Sequence, residues 1–313
     1  MASDTPLFSR RNQQGGTFSI LDRDRVSQGN VWWVGSTTVV ACAYDEPVSH
    51  GRSPDAPFAT LVYAETRAST NDTIYVLPGH TETIGTTGAA AITLDVAGLR
   101  VIGLGGRTRR PNLLVDAYTD TYISITGADT LFQNFIVTAG HSNIASGMIV
   151  AGDGVVVRDC DFIQNTADEN FLECITDGDA NTCDRLTITN CEFCQYDTSG
   201  TAGIQIDAAQ DRLVITDNIF QGDWGTGAIS IGGDITYGFI ARNLVYNAAT
   251  DNDSVITVAA AGTGICAFNA GGNGAAAANQ ITATAMALAE NYGGVSAADS
   301  SLPLDPVVTT LGD

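Results

Sequence analysis

Residues 157–162 read VRDCDF, and variants of this hexapeptide recur along the chain. Each copy begins and ends with an apolar residue, and Asn or Asp is usual at its third position. Successive copies start 25 to 31 residues apart, which makes them an internal repeat. The clearest copies are FQNFIV at 132–137, VRDCDF at 157–162, ITNCEF at 188–193, ITDNIF at 215–220 and IARNLV at 240–245, with weaker copies starting at Ile102 and Cys266.

A second apolar pattern accompanies the hexapeptide. It consists of two apolar residues separated by one position, and such pairs begin at Ile92, Ile123, Met148, Ile204, Ile229 and Ile256. One repeat unit is longer than the others because of an insertion at residues 176–185. The alternation of apolar and other residues in both patterns indicates short β-strands.

A repeat unit of about 25 residues is too small to bury its own apolar side, whereas stacked units bury a continuous core. We therefore predict an all-β chain folded as a right-handed parallel β-helix, in which equivalent residues stack about 4.8 Å apart. Cys160 is expected to stack directly against Cys191 of the neighbouring coil. Three phenylalanines are expected to form an internal ladder: Phe162, Phe193 and Phe220. Four polar residues are expected to share one column at a corner, where Asn and Asp tolerate turn geometry: Asn134, Asp159, Asn190 and Asp217.

The two ends of the chain depart from the repeat. Residues 1–50 are predicted to be an irregular N-terminal arm, and the β-helix is predicted over residues 51–282. A short helix near 57–67, with Asp55 as its N-cap and Pro57 in its first turn, is expected to cap the stack. The segment starting at Asp72 is predicted to be the first strand. Residues 283–313 are predicted to form a C-terminal cap and tail.

The charge balance limits the classes of partner. The formal net charge is −21, and all 14 basic residues are Arg because the chain contains no Lys. Such a surface repels nucleic-acid phosphates and anionic membranes, so neither is expected as a partner. Two readings of the acidity stay open, namely solubility in a salty medium and docking onto a basic surface.

The N-terminus and the cysteines indicate synthesis in a reducing cytoplasm. The start of the chain lacks the basic and apolar segments of a signal peptide. The chain has 7 Cys, an odd number that excludes a complete disulfide framework. The cysteines are therefore interpreted as small apolar core residues.

A family resemblance rests on two segments, SPDAPFATL at 53–61 and DTIYVLPGHTETI at 72–84. They resemble the first coil of the pectate-lyase-like β-helix superfamily and are most similar to that of a group of tailed-phage virion proteins. The resemblance extends over residues 32–274. It implies the parallel β-helix fold. It leaves the role open, because the superfamily contains polysaccharide-cleaving tailspikes as well as capsid decoration proteins without activity.

A catalytic site for glycan cleavage requires two carboxylates on one face of the solenoid. Asp161 and Glu192 occupy the same repeat position in neighbouring units, which makes them the candidate pair. Solvated surface carboxylates explain the same pattern in so acidic a chain. The Gly-His-Gly and Arg-Ile-Lys motifs associated with pectin-cleaving members of the superfamily are missing.

Metal and redox motifs are weak. Asp177, Asp179 and Asn181 resemble the start of a calcium loop but lack its Gly and closing Glu. Cys191 and Cys194 form a Cys-x-x-Cys pair without a second pair at matching spacing, so core packing is the preferred interpretation. His80 is interpreted as a turn residue, because a lone His needs a partner to act as a base. No cofactor is predicted.

The sequence and the resemblance together lead to an expected role. We expect a non-catalytic bacteriophage virion protein, located on the capsid as a homotrimeric decoration (cement) protein that binds the major capsid protein. Arg10, Arg11, Trp32 and Trp33 are candidate interface residues, although the two tryptophans are also candidates for a plug on the first coil. A tailspike-like depolymerase and a non-catalytic glycan-binding fibre remain the alternatives.

Overall fold

The structure is a computed structural model that describes residues 29–85, 90–116, 118–166, 168–178, 182–248, 255–258, 261–273, 281–283, 286–295 and 305–306. The described part is a parallel β-solenoid, which confirms the predicted fold class. Each full coil contributes one strand to each of three faces. We name them face 1, face 2 and face 3, in the order in which the chain passes them.

Face 1 holds the strand that begins each hexapeptide copy. Val157 pairs with Phe132 on one side and with Ile188 on the other, so equivalent residues stack in register as predicted. In order along the solenoid, its strands are Val31–Val34, Thr73–Val76, Arg100–Gly103, Leu131–Gln133, Val156–Arg158, Thr187–Thr189, Val214–Thr216, Ile235–Ala241, Gly262–Ala267 and Ala287–Ala289. The short strand Gln210–Asp211 also pairs with Ile235–Ala241.

Face 2 holds the strand that ends each copy. Its strands are Thr81–Ile84, Asn112–Val115, Ile136–Ala139, Asp161–Gln164, the first parts of Glu192–Ile206 and Ile219–Ile231, and then Leu244–Asn247, Ala270–Asn273 and Tyr292–Val295. A two-residue strand, Asp305–Pro306, pairs antiparallel with Tyr292–Val295. The hexapeptide therefore contains two strands, and a corner separates them.

Face 3 holds the second apolar pattern. Its strands are Ala90–Leu94, Tyr122–Ile125, Ile144–Val150, Phe171–Thr176, the last parts of Glu192–Ile206 and Ile219–Ile231, and then Ile256–Val258 and Ile281–Ala283. The six apolar pairs predicted from the sequence lie in one column, as the pairing of Ile123 with Ile92 and Met148 shows. Ile175, in the unit with the insertion, belongs to the same column.

Left-handed residues form the two corners that flank face 1. The corner between faces 1 and 2 contains the predicted Asn and Asp column, and every member has a positive φ of 49–66°. This corner column consists of Asn134, Asp159, Asn190, Asp217, Arg242, Phe268 and Glu290. The corner between faces 3 and 1 has a matching column, formed by Asn71, Gly98, Asp129, Gly154, Arg185, Arg212 and Tyr237. Gly, Asn and Asp suit this backbone region best, which explains why they are frequent in both columns.

The core runs the length of the described solenoid. Phe193 stacks between Phe162 and Phe220, with ring centroids 5.3 and 4.5 Å apart, which confirms the predicted aromatic ladder. Cys160 and Cys191 are buried one coil apart behind the corner column. At the same repeat position, the later coils place four buried asparagines: Asn218, Asn243, Asn269 and Asn291.

The N-terminal end of the stack begins earlier than the sequence predicts. Val31–Val34 pairs in parallel with Thr73–Val76, so the first strand lies inside the segment 1–50 that was predicted as an arm. Trp32 is buried, and its indole N–H donates to the buried carboxylate of Asp72 at 2.9 Å. That hydrogen bond ties the first coil to the second.

The capping helix is shorter than predicted. It spans Leu61–Glu65, and its N-cap is Thr60, whose hydroxyl accepts a hydrogen bond from the backbone N–H of Tyr63. Asp55 is therefore not the N-cap, and Pro57 precedes the helix. Leu61 and Ala64 face the core. Among the described residues, no helix has the length and apolarity needed to cross a membrane.

Two further boundaries differ from the sequence prediction. The weak first copy begins at Val101 instead of Ile102, because Val101 pairs with Phe132 and is buried. At the other end, Ala287–Ala289 and Tyr292–Val295 continue faces 1 and 2 beyond residue 283, where the repeat was predicted to stop. The first error arises because Val101 and Ile102 are both apolar, and the second because small residues replace apolar ones in residues 287–295.

Candidate functional site

One enlarged corner creates a cleft on the outside of faces 1 and 2. Most corners between these faces contain two residues, whereas residues 104–111 form a longer loop with a 3-10 turn at Arg107–Arg109. The loop bends over the following coils, and its Arg110 reaches a residue two coils away. The cleft has a volume of about 440 Å³ and is lined by Arg107, Arg110, Asn134, Asp159, Asp161, Asn190, Cys191, Glu192, Asp217 and Ile219.

Arg110 is anchored in the cleft by Asp161. Its two terminal nitrogens donate to the two carboxylate oxygens, Nη1 at 2.9 Å from Oδ1 and Nη2 to Oδ2, and Nη1 also donates to the backbone carbonyl of Asp159 at 3.1 Å. Burial lowers the pKa of Arg110, but the hydrogen bond to Asp161 and the nearby charges, including Glu192, outweigh burial and raise it overall. The guanidinium therefore stays charged.

The candidate pair Asp161 and Glu192 is brought together as predicted. The two residues pair directly across neighbouring strands of face 2, and both line the cleft. Their states differ, however. Asp161 is held in the bidentate ion pair with Arg110, while the exposed Glu192 accepts a hydrogen bond from the thiol of Cys194 at 3.4 Å.

The other cleft carboxylates also have specific partners. Asp159 accepts hydrogen bonds from Gln133 at 2.8 Å and from Asn190 at 2.6 Å. Asp217 accepts from Arg242 through two contacts of 2.7 Å. These hydrogen bonds lower the pKa of Asp217, so its carboxylate stays ionised. Three of the four carboxylates that line the cleft, Asp159, Asp161 and Asp217, therefore have charged or amide partners, whereas the exposed Glu192 has a thiol contact.

The calcium candidate is only partly described. Asp179 and Asn181 lie outside the described residues. Asp177 is fully buried, and its carboxylate accepts the backbone N–H groups of Asp207 and Ala208 at 2.7–3.2 Å, which fixes the corresponding turn of the next coil. No cluster of His, Cys, Asp or Glu with metal-binding geometry occurs among the residues that the structure describes.

The cysteine motif borders the cleft, since Cys191 lines it and Cys194 contacts Glu192, whereas His80 lies at the capping helix. Burial raises the pKa of the Cys191 thiol well above its usual value, which opposes thiolate chemistry and supports the core interpretation. His80 is fully buried, and its Nε2 lies 3.0 Å from Glu82. Glu82 in turn accepts the backbone N–H of Leu61 at 2.6 Å, so His80 and Glu82 support the capping helix.

The interface candidates divide into three groups. Arg10 and Arg11 lie outside the described residues. Trp32 is core, because it stacks on Phe58 with ring centroids 5.5 Å apart. Trp33 is half-buried and packs against Tyr75 on the outside of face 1. Of the two tryptophans, only Trp33 therefore presents surface to a partner.

Sequence reasoning missed Arg107 and Arg110, because their loop interrupts the repeat. The run RTRR at 107–110 was the available signal, since arginines are scarce in this acidic chain. It also missed the buried asparagines, although Asn recurs at one repeat position in ITDNIF and IARNLV.

Comparison with known proteins adds little. Neither the family models nor the curated proteins contain a match to the chain. Among solved structures it is similar to pectate lyase Pel9A, with a TM-score of 0.46 and 14% identity over 86% of this chain and 77% of that chain. It is also similar to a rhamnogalacturonan lyase, with a TM-score of 0.34 and 12% identity over 78% of this chain and 74% of that one. Likenesses this distant carry no argument about activity or substrate.

Proposed function

We propose that the protein is a non-catalytic structural component of a bacteriophage particle, a homotrimeric decoration protein that binds the major capsid protein. The observation that carries the non-catalytic part is that three of the four cleft carboxylates, including Asp161 of the candidate pair, are held by other side chains. Asp161 is committed to Arg110, Asp217 to Arg242, and Asp159 to Gln133 and Asn190. A general acid or base must instead be able to exchange its proton with a substrate.

The architecture supports a mechanical role. Parallel pairing satisfies the backbone along the stack, and ladders of Phe and Asn join consecutive coils. The net charge of −21 favours docking onto a basic surface of a shell protein through complementary charge. The phage setting and the trimer rest on the resemblance of residues 53–61 and 72–84.

The first test is the copy number of the protein in purified virions, measured by quantitative mass spectrometry against the major capsid protein. A decoration protein is expected at an abundance comparable to that of the shell protein. A few copies per particle would place it in the tail, and complete absence would refute a virion role.

The N-terminal arm supplies a second test of the same proposal. Because Val31–Val34 belongs to the stack, the arm is best tested by deleting residues 1–28. The deletion is expected to abolish capsid attachment and to leave the circular dichroism spectrum unchanged. Attachment of the truncated protein at wild-type stoichiometry would show that the arm is dispensable.

A second candidate function is cleavage of a surface glycan, favoured by the open cleft with Asp161 and Glu192 side by side. It predicts new reducing ends or unsaturated sugars when the protein is incubated with host polysaccharide. Glu192→Gln would then lower the rate about 100-fold or more, while the exposed control Asp168→Asn would not. Our proposal expects no cleavage by the wild type, by Glu192→Gln or by Asp168→Asn. Cleavage that depends on Glu192 would reject the non-catalytic role and support the second candidate function.

A further inference from the structure

The first residues of successive face 2 strands form an outward-facing column that changes from acidic to apolar along the solenoid. Asp161 pairs with Glu192, Glu192 with Ile219, and Ile219 with Leu244, so two acidic residues are followed by two apolar ones. The column then continues through Ala270 to Tyr292. Around it lies a group of exposed apolar side chains, which we name the apolar patch: Ile219, Leu244, Tyr246, Ile265, Phe268 and Tyr292.

The apolar patch has members on both sides of the corner between faces 1 and 2. Ile265 lies on face 1, Phe268 lies in the corner column, and the other four members lie on face 2. They are 39–55% exposed. At about 200 Å² for a large side chain, six half-exposed residues present roughly 600 Å² of apolar surface. That area approaches the roughly 800 Å² that each partner buries in a specific interface, and it lies at the upper end of the roughly 300–600 Å² found for the largest apolar patch of a monomer.

Phe268 is the member of the apolar patch that lies in the corner column. Its φ is +57°, a left-handed conformation that is costly for a bulky side chain, and its ring is 53% exposed. The equivalent position holds Arg242 one coil earlier and Glu290 one coil later, both also with positive φ, so the corner itself imposes this conformation. The aromatic side chain of Phe268 extends the apolar surface of face 2 across the corner.

The charge near the apolar patch identifies the partner. Arg242 and Asp217 border the patch and neutralise each other through two contacts of 2.7 Å. Glu290 and the exposed Glu192, which pairs with Ile219, each add a negative charge. In a chain with a net charge of −21, a region with two uncompensated charges repels a second copy less than the rest of the surface does. A basic shell protein would be drawn to the acidic surface instead.

We propose that the apolar patch is the surface through which copies of this chain associate. The inference deepens the homo-oligomer of the proposed function, because it names the contact surface. It is tested on purified protein, and capsid binding is tested separately by the copy number, so a monomeric protein would remove the homotrimer from the proposed function without removing the capsid role.

The experiment is sedimentation equilibrium of the full chain over a wide concentration range. The test variant is Leu244→Gln combined with Phe268→Asn, which removes apolar surface without adding charge. Asn suits the left-handed position, so the melting temperature of the variant is expected to equal or exceed that of the wild type. The matched control is Tyr118→Gln, which removes an aromatic residue of similar exposure, 50%, far from the patch.

The wild type and the control are expected to associate, and the double variant is expected to do so with a dissociation constant raised at least about thirty-fold. A monomeric wild type at tens of micromolar would overturn the proposal, as would a double variant that associates as tightly as the control. A monomeric wild type that binds the shell protein in a Phe268-dependent manner would assign the patch to the shell protein and equally reject self-association.

Discussion

At the residue scale, four buried asparagines join the later coils through a ladder of hydrogen bonds. The side-chain oxygen of Asn243 accepts hydrogen bonds from both the backbone N–H and the side-chain N–H of Asn218, at 3.1 and 3.0 Å. Its Nδ2 donates to Asn269 and to the carbonyl of Ile215, each at 3.0 Å. Every member of the ladder therefore satisfies polar groups on the neighbouring coils.

Asn243→Ala is expected to lower the free energy of unfolding by about 3 kcal/mol, because it leaves several buried polar groups without partners. Urea denaturation followed by circular dichroism measures the change. The exposed control Asn165→Ala is expected to change stability by less than about 0.5 kcal/mol. Equal losses in the two variants would show that the ladder contributes no more than a surface contact.

Glu65, in the capping helix, is expected to make the stability of the protein depend on pH. Burial raises its pKa to about 7, opposed by a hydrogen bond from the backbone N–H of Thr93 and assisted by the charges of Asp95 and Glu82. The folded protein therefore holds a proton between pH 4.5 and 7 that the unfolded chain releases. The stability contributed by the protonated carboxyl is complete below pH 4.5 and is lost as the pH rises through 7.

Glu65→Gln is accordingly expected to raise the free energy of unfolding by about 1 kcal/mol at pH 8 and to change it little at pH 4. The value at pH 8 is reduced because Glu65 is partly exposed to solvent. Denaturation at both pH values measures the difference. Asp168→Asn makes the same change in net charge at an exposed site and controls for it. Parallel pH profiles of wild type and Glu65→Gln would contradict the raised pKa.

At the scale of elements, the N-terminal end is closed by an irregular segment together with the capping helix. Residues 35–60 connect the first strand to the five-residue helix, and their Phe58 packs against both Trp32 and Tyr63. Asp72 accepts hydrogen bonds from the indole of Trp32 and from the backbone N–H of Ser69. The first strand, the connecting segment and the helix therefore close the stack as one unit.

Truncation separates this unit from the segment that precedes it. Deletion of residues 1–50 removes the buried side chains of Trp32 and Val34 and is expected to cost about 4 kcal/mol of unfolding free energy. Deletion of residues 1–28 leaves every described contact in place and is expected to leave the melting temperature unchanged. Calorimetry of the two truncated proteins measures both effects, and equal stability would mean that the first strand is not part of the cooperative unit.

At the scale of the whole molecule, the acidic surface opposes folding through self-repulsion. The charge is −21 at pH 7, and the sequence pI is about 4.1. Raising NaCl from about 0.05 M to 1 M shortens the range of charge interactions several-fold and is expected to raise the melting temperature by about 5 °C at pH 7. The same addition at pH 4.1, where the net charge is near zero, is expected to have a much smaller effect. An equal rise at both pH values would point to a general salt effect.

The sequence by itself determined the fold class and most of the register. Period-2 apolar patterns recur at 25 to 31 residues, and parallel stacking is the arrangement that buries them all, so Phe162, Phe193 and Phe220 had to share a ladder. The same register placed Asp161 beside Glu192. The repeat was readable because each position occurs several times along the chain.

Only the tertiary structure defined the features that lie outside the repeat pattern. The loop with Arg107 and Arg110 occurs once, and its contact with Asp161 joins residues 51 positions apart, so no local pattern predicts that the candidate carboxylate is already paired. The strand Val31–Val34 carries too few residues to reveal its register and is defined by its pairing with Thr73–Val76. The apolar patch likewise exists only because stacking aligns side chains from four coils on one surface.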